Sequence, residues 1–418
     1  MPQGYEWAHN GPMGDDSVSV SAVLDFIRDG WTRSVRTSGH DDYPRVFLPH
    51  RYTAPSVTDG ALDLRYWSTR FTNEGLILDG HIDLALSNVE NLFYLVDRFG
   101  FVPGCSNVSG LTRSQPPTLA LMVRRLYDET GDREWLRSSV PRLQREYHFW
   151  MTERVTESGL NVYGHGASRS EVEQFRMSDL ARRIDSGAVS TEQADHYLAE
   201  TESGHDFTPR FEGRCRDYIP VDLNSYLYAY EQTLAFIGRE LGMPDDGTWE
   251  TAAENRRLLM RRYLWHEAQG AFCDYDFVSD GFSPVASAAS FVPLCFGVAT
   301  PTEARATIRS LRPLLLDHGV SSCSNTDPGG RQWGFPNVWA PVQSNAEAAL
   351  RAYGDPMGEE IARRFVATVA TEFRRSGKLW DKYDGLTGGP GALELPATSC
   401  LGWTAGVFRL FVREYDLA

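Results

Sequence analysis

The sequence is short of positive charge. Its 418 residues carry 41 Lys and Arg against 56 Asp and Glu, a formal net charge of −15. Nucleic acids and anionic membranes are gripped by basic surface, so neither is expected as a partner. No run of about 18 uninterrupted apolar residues occurs, and a membrane-spanning helix needs one. The first residues, MPQGYEWAHNGPMGDD, lack the basic start and apolar stretch of a secretory leader. On that ground the protein is expected in the cytoplasm. Cysteine is sparse: Cys105, Cys215, Cys273, Cys295, Cys323 and Cys400 lie far apart, with no C-x-x-C pair and no His/Cys cluster of zinc-site spacing. They read as reduced, mostly buried thiols. H-E-x-x-H, the phosphate loop and the dinucleotide fingerprint are all missing, as are low-complexity tracts and fixed-period repeats.

What is present is a chain 42% hydrophobic and 12% aromatic, ample for a sizeable core. In VDLNSYLYAYEQTLAFIGRELG, Leu223, Leu227, Tyr230, Leu234 and Ile237 step by four and three along one helical face. Asp222 is placed to cap that helix and Gly242 to stop it. Similar patterns cover 18–36, 72–99, 116–129, 133–153, 248–264, 302–315, 343–353, 357–374 and 402–414. Period-two strands are few and short. The chain therefore reads as mostly α, with long loops rich in Gly, Pro, Trp and charge that suit a site at one end of a helical scaffold.

Several loops carry candidate chemistry. ESGHDFTPRF holds Asp206 between Gly204-His205 and Phe207; a carboxyl shielded by an aromatic has a raised pKa and suits a general acid, while the plainer alternative is a solvated capping Asp. LWDKYDGLTGGPGALELP sets Asp381, Asp384 and Glu394 around a glycine-rich turn, and a glycosidase needs a second carboxyl of this kind across the scissile bond. RQWGFPNVWAPVQ offers an aromatic platform for sugar C–H surfaces, or simply buried aromatics closing the end of a bundle. LTRSQPP presents Arg113 and Gln115, and SRSEVEQF presents Arg169 and Glu171; arginine forks bind vicinal hydroxyls or orient carboxylates, and surface ion pairs are the alternative.

Taken together and in order, these stretches resemble the trehalases of glycoside hydrolase family 37 over about Leu48 to Phe411. RYWSTRF is similar to Y-x-W-D-S-Y of the first signature, and RFGFVPG…LTRSQPP to G-x-I-P-N-G…R-S-Q-P-P. ESGHDFTPRF…IPVDLNSYLY resembles E-S-G-W-D-F-S-x-R-W…I-P-V-D-L-N-x-L-x-Y. QWGFPNVWAP is similar to the second signature, Q-W-D-x-P-N-x-W-x-P, and LWDKYD…ELPATSCLGWTAG to V-E-K-Y-D…E-Y-P-x-Q-x-G-F-G-W-T-N-G. LPHRYTAP and GAFCDYDF also match family stretches. The resemblance implies one (α/α)6 barrel over residues 1–418, with an irregular segment at 1–17. It implies inverting hydrolysis of an α-glucoside with Asp206 as acid and Asp381 as base. It assigns sugar contacts to Trp67, Ser68, Arg113, Gln115, Arg169, Glu171, Gly204, His205, Trp333, Asn337 and Glu394. Two carboxyls and a water suffice for that reaction, so no metal and no organic cofactor is required. The expected partner is a small sugar or glycoside; nothing in the sequence addresses the oligomeric state.

The departures gather at the sugar positions. The Asp of the first signature is Ser68, the Asn of I-P-N-G is Gly104, the Asp of Q-W-D is Gly334, the usual Glu base is Asp381, and the Trp before the acid is His205. Each buried hydroxyl left without a partner costs roughly 1–3 kcal/mol. An acid/base pair is kept while its grip is reshaped. Trehalose or a related α-glucoside is therefore one expectation, and another substrate for the same pair (another glycoside, or an elimination or cyclisation) is the alternative. A sugar-binding protein without turnover is the third.

Overall fold

The computed structural model describes residues 16–41, 43–57, 61–183, 189–244, 247–325 and 330–418. Helices dominate it. In chain order they are α1 (Asp16–Ser34), α2 (Tyr66–Leu78), α3 (Ile82–Phe99), α4 (Leu119–Thr130), α5 (Arg133–Glu153), α6 (Arg169–Ser178) and α7 (Thr191–Glu200). There follow α8 (Val221–Leu241), α9 (Thr248–Tyr263), the one-turn α10 (Val292–Cys295), α11 (Pro301–Leu311), α12 (Ala340–Ala352), α13 (Met357–Ser376) and α14 (Gly402–Glu414). The described strands are two or three residues long and pair antiparallel in small ribbons.

Six of these helices close a ring. α2 packs on α4, α4 on α8, α8 on α10, α10 on α12, α12 on α14, and α14 returns to α2. A second layer wraps them: α3 lies over α2 and α4, α5 over α4 and α8, α9 over α8, and α13 over α12 and α14, with α1 packed beside α13. α11 packs against the turn Ala288–Phe291 that leads into α10. This is the (α/α)6 barrel the resemblance implies. Burial separates the layers as physical chemistry requires, because an inner helix must be apolar on nearly every side. Sixteen of the 21 residues of α8 are buried, against three of 16 in α9. The ring closes where α2 meets α14, and the two helices touch through glycines: a Cβ on Gly75 would lie 2.9 Å from the Cα of Gly406.

Most of the expected helices are present within a residue or two. The 72–99 pattern is two helices, broken at Asp79–His81: Gly80 turns back with a φ of +83°, and the Asp79 carboxylate holds Trp31 Nε1 and Arg409 rather than continuing a helix. The segment 18–36 ends early because Val35–Arg36 pair with Tyr52–Thr53. Residues 1–15 of the expected irregular segment lie outside the described residues, while Asp16 and Ser17 are already helical. Gly242 is the left-handed stop of α8 as expected, but Asp222 is not its cap. Pro220 holds that position, and Asp222 is buried as the second residue of the helix, clamped on Arg210. α6 and α7 were not apparent as apolar stripes, since α6 buries only Val172. They pack on each other outside the rings around a small core of Val172, Leu180, Ala194, Leu198 and Phe207.

Candidate active site

The N-terminal ends of the inner helices share one mouth of the ring, and the loops that lead into them wall a cavity of about 220 Å³. Arg65 and Ser68 come from the start of α2, Gln115 from the approach to α4, and Gly204 and Asp206 from the loop before α8. Gln332, Trp333 and Trp339 precede α12; Asp381, Lys382, Leu395, Pro396 and Thr398 precede α14, whose first turn adds Trp403. Two carboxyls, Asp206 and Asp381, thus face one space.

The loop bearing Asp206 is shaped by backbone that few side chains tolerate. Gly204 has a φ of +73° and Phe207 a φ of +61°. A Cβ on Gly204 would come within 2.7 Å of the Trp67 ring, so only glycine lets this loop lie flat on the indole. The carboxyl of Asp206 remains about a third exposed, with Arg183 Nη2 4.0 Å away. The expectation of a carboxyl shielded by Phe207 is corrected: the ring turns away, stacks on Tyr197 at 5.6 Å, and lies beneath Arg183. Asp381 is held differently. Its two oxygens accept from the backbone N–H and the hydroxyl of Thr398, both at 2.9 Å. Burial raises its pKa, and the hydrogen bonds from Thr398 and the charge of Lys382 offset part of that rise.

The aromatic platform is both things the sequence allowed. Trp333 is buried between His205 (4.4 Å, 16°) and Trp339 (4.0 Å, 7°), with Trp403 and Trp67 edge-on or tilted around it. It still presents an edge to the cavity. His205 lies behind this wall. Its Nδ1 is 3.1 Å from the Arg210 guanidinium, which can only donate, so the ring proton sits on Nε2. Burial first, and then Arg210, push its pKa down to about 3, leaving a neutral ring. His205 here is a stacked, hydrogen-bonded packing residue. Beneath it Arg210 is fully buried and forks onto both Asp222 and Asp274, a charged knot that fixes the loop to α8. Glu202 is likewise structural: it takes Arg154 in a bidentate pair and caps the N–H groups of Ser114 and Gly164.

Of the residues the resemblance assigns, the structure brings Ser68, Gln115, Gly204, Asp206, Trp333 and Asp381 to the cavity wall. Trp67, His205, Asn337 and Glu394 stand behind it. Asn337 is buried and donates to the Gln332 carbonyl, and Glu394 takes the Gln332 N–H at 2.9 Å and Arg183 at 3.2 Å. Arg113 does not line the wall; its guanidinium donates to the Ser109 carbonyl. Arg169 and Glu171 are not brought to the wall: both are exposed at the first turn of α6, where Glu171 closes a capping box with Ser168. Arg65, Arg183, Gln332, Trp339, Lys382, Thr398 and Trp403 were passed over. All but Arg183 lie inside the matched motifs; Arg183 has no motif around it.

Residues 62–416 match the trehalase family profile. The chain belongs to the trehalase family. It is 31% identical to a periplasmic trehalase of Xanthomonas axonopodis pv. citri over 97% of this chain and 75% of that protein. With a periplasmic trehalase of Pseudomonas aeruginosa it shares 33% identity over 88% of this chain and 72% of that one. Among solved structures, neutral trehalase Nth1 from Saccharomyces cerevisiae superposes with a TM-score of 0.74 at 22% identity, over 93% of this chain and 79% of that one. A GH63 mannosylglycerate hydrolase from Thermus thermophilus superposes with a TM-score of 0.65 at 19% identity, over 94% and 100%. At those identities the structural likenesses establish the fold.

Family membership makes this chain a glycosidase, a hydrolase acting on a sugar substrate. It also corrects the expected location. The relatives are named periplasmic trehalases, which overturns the cytoplasmic expectation. No described helix of this trehalase-family chain is long and apolar enough to cross a membrane. The six cysteines are free, four of them buried.

Proposed function

We propose that this chain hydrolyses α,α-trehalose with inversion, Asp206 serving as the general acid and Asp381 as the general base. The observation that carries this reading is the single cavity faced by both carboxyls, walled by tryptophan on one side and by hydrogen-bonding side chains on the others. Asp206, partly open to the cavity, gives its proton to the glycosidic oxygen as the bond to the anomeric carbon breaks. A water held by Asp381 attacks that carbon from the opposite face and loses its proton to the carboxylate. Thr398 engages each oxygen of Asp381 once, so lone pairs remain to orient the water. Burial makes Asp381 more basic than an ordinary aspartate, as its role requires. At about 220 Å³ the cavity falls below the roughly 300 Å³ at which drug-sized sites begin, so it holds one glucosyl ring closely and leaves the second at the mouth. Residues 16–418 work as one catalytic unit in this reading, since the walls come from both ends of the chain.

A second substrate is favoured by two positions. A Cβ on Gly104 would lie 3.3 Å from the Ser114 carbonyl, and one on Gly334 would lie 3.1 Å from the Arg331 carbonyl. The polar side chains that the family pattern places there are absent, and a Cβ at either position would press on a backbone carbonyl. A related α-glycoside with fewer hydroxyls to satisfy fits such a site. The experiment is proton NMR of the purified enzyme with trehalose, and with a panel of α-glycosides, beside Asp206→Asn. Equal early release of α- and β-glucose, abolished in the variant, is expected. Turnover of another glycoside alone moves the substrate, and full trehalose turnover by Asp206→Asn overturns the assignment of the acid.

A further inference from the structure

We propose that Arg183 is a positioning residue of this site: it fastens the loop of the acid to the loop that walls the cavity. The inference rests on the acid assignment of Asp206 made above.

Four contacts form a closed circuit. Arg183 Nη1 holds Glu394 Oε1 at 3.2 Å. Glu394 Oε2 accepts from the Gln332 backbone N–H at 2.9 Å. Gln332 Nε2 donates to the backbone carbonyl of Asp206 at 3.3 Å. The circuit closes where Arg183 Nη2 stands 4.0 Å from the Asp206 carboxylate. The guanidinium also lies over the Phe207 ring, 4.4 Å from its centre, which fixes its plane. Four segments distant in sequence meet here: the turn after α6, the loop after α7, the approach to α12 and the approach to α14.

Two features separate this from an ordinary surface ion pair, which contributes little. The Arg183 side chain is 20% exposed and that of Glu394 only 6%, so screening by water is slight. Glu394 also adopts a φ of +62°, a conformation a non-glycine residue holds only when its surroundings demand it. The two residues after it, Leu395 and Pro396, form part of the cavity wall. Arg183 therefore sets two things together: the aim of the acid and the position of that wall. Arg169 cannot do this from the exposed start of α6.

The test uses Arg183→Gln, Arg183→Lys, Glu394→Gln, the Arg183→Gln/Glu394→Gln double variant and Arg169→Ala, assayed on whichever glycoside the wild type turns over. Arg183→Gln is expected to lower kcat at least tenfold with a smaller change in KM. Arg183→Lys should recover part of the loss. The double variant should lose no more than the worse single one. Hydrogen exchange of the 389–397 peptide should quicken in Arg183→Gln, a readout that needs no substrate. Kinetics within twofold of wild type together with unchanged exchange overturn the proposal, as does an Arg169→Ala loss equal to or larger than that of Arg183→Gln. A fully active Asp206→Asn would instead overturn the acid assignment, so the two failures are distinct.

Discussion

Glu200 ends α7 directly below the acid loop, fully buried. One of its oxygens accepts from the Thr208 N–H at 2.7 Å; the other has no hydrogen-bond partner. Burial pushes its pKa from 4.5 to about 8, with the Thr208 hydrogen bond and Arg331 pulling the other way. The folded protein thus keeps a proton that the unfolded chain releases near 4.5. Stability from this group is complete below that pH and drains away as pH climbs toward 8. With 1.36 kcal/mol per pH unit for one proton, going from pH 6 to pH 8 costs about 2 kcal/mol. Glu146, buried between the hydroxyls of Tyr66 and Tyr230 and raised to about 7, adds about 1 kcal/mol over the same interval. Glu200→Gln keeps the shape and the acceptor for Thr208 while removing the ionisation. Urea titrations followed by circular dichroism at pH 6 and pH 8 are the assay. Wild type should lose about 2 kcal/mol more than Glu200→Gln between the two. Equal losses in both proteins would show that Glu200 does not hold its proton in the fold.

Other expectations concern the ring and the site. Gly406→Ala places a Cβ 1.9 Å from the Phe71 carbonyl where α14 closes on α2; beyond the about 1–3 kcal/mol of ordinary overpacking, it should lower the thermal midpoint by many degrees, and an unchanged midpoint would contradict the glycine contact. Gly204→Ala meets the Trp67 ring at 2.7 Å with φ at +73°; kcat should fall far more than the thermal midpoint, because the displaced loop carries Asp206. Asp381→Asn should abolish turnover. In wild type the acidic limb of kcat/KM should lie above 3.8, the ordinary aspartate value, since the buried base must be ionised to act; a limb at or below that value would argue against Asp381.

How much of this could be read beforehand depends on the range of the interaction involved. The inner helices announce themselves because burial on all sides leaves an apolar record, as in α8. Asp206 and Asp381, the two carboxyls that face the cavity, were legible because they sit in dense loop motifs. α6 escaped because one buried residue makes no stripe, and the ten-residue α7 buries only Ala194, Leu198, Ala199 and Glu200, although S-x-x-E at Ser168 and S-x-x-Q at Ser190 are capping boxes written in the sequence. The first of those boxes is the local signal that competes with a sugar-binding role for Glu171, and in the structure it wins. Asp222 looked like a helix cap because its partner cannot be seen locally: Arg210 stands before the helix and shares its guanidinium with Asp274 far beyond it. Arg183 is the extreme case. Its meaning lies entirely in contacts with residues 23 and more positions away.

The closed helical ring also decides when the site comes into being. The wall begins at Arg65 and ends at Trp403, and the inner ring stays open until α14 docks on α2, two elements more than 300 residues apart. A chain still missing its last helix has an acid loop and a half-built platform but no enclosure. Contacts so far apart in sequence form late. Appearance of turnover during refolding is then a clock for the final event, and catalysis serves as the molecule's own test that its circle is complete.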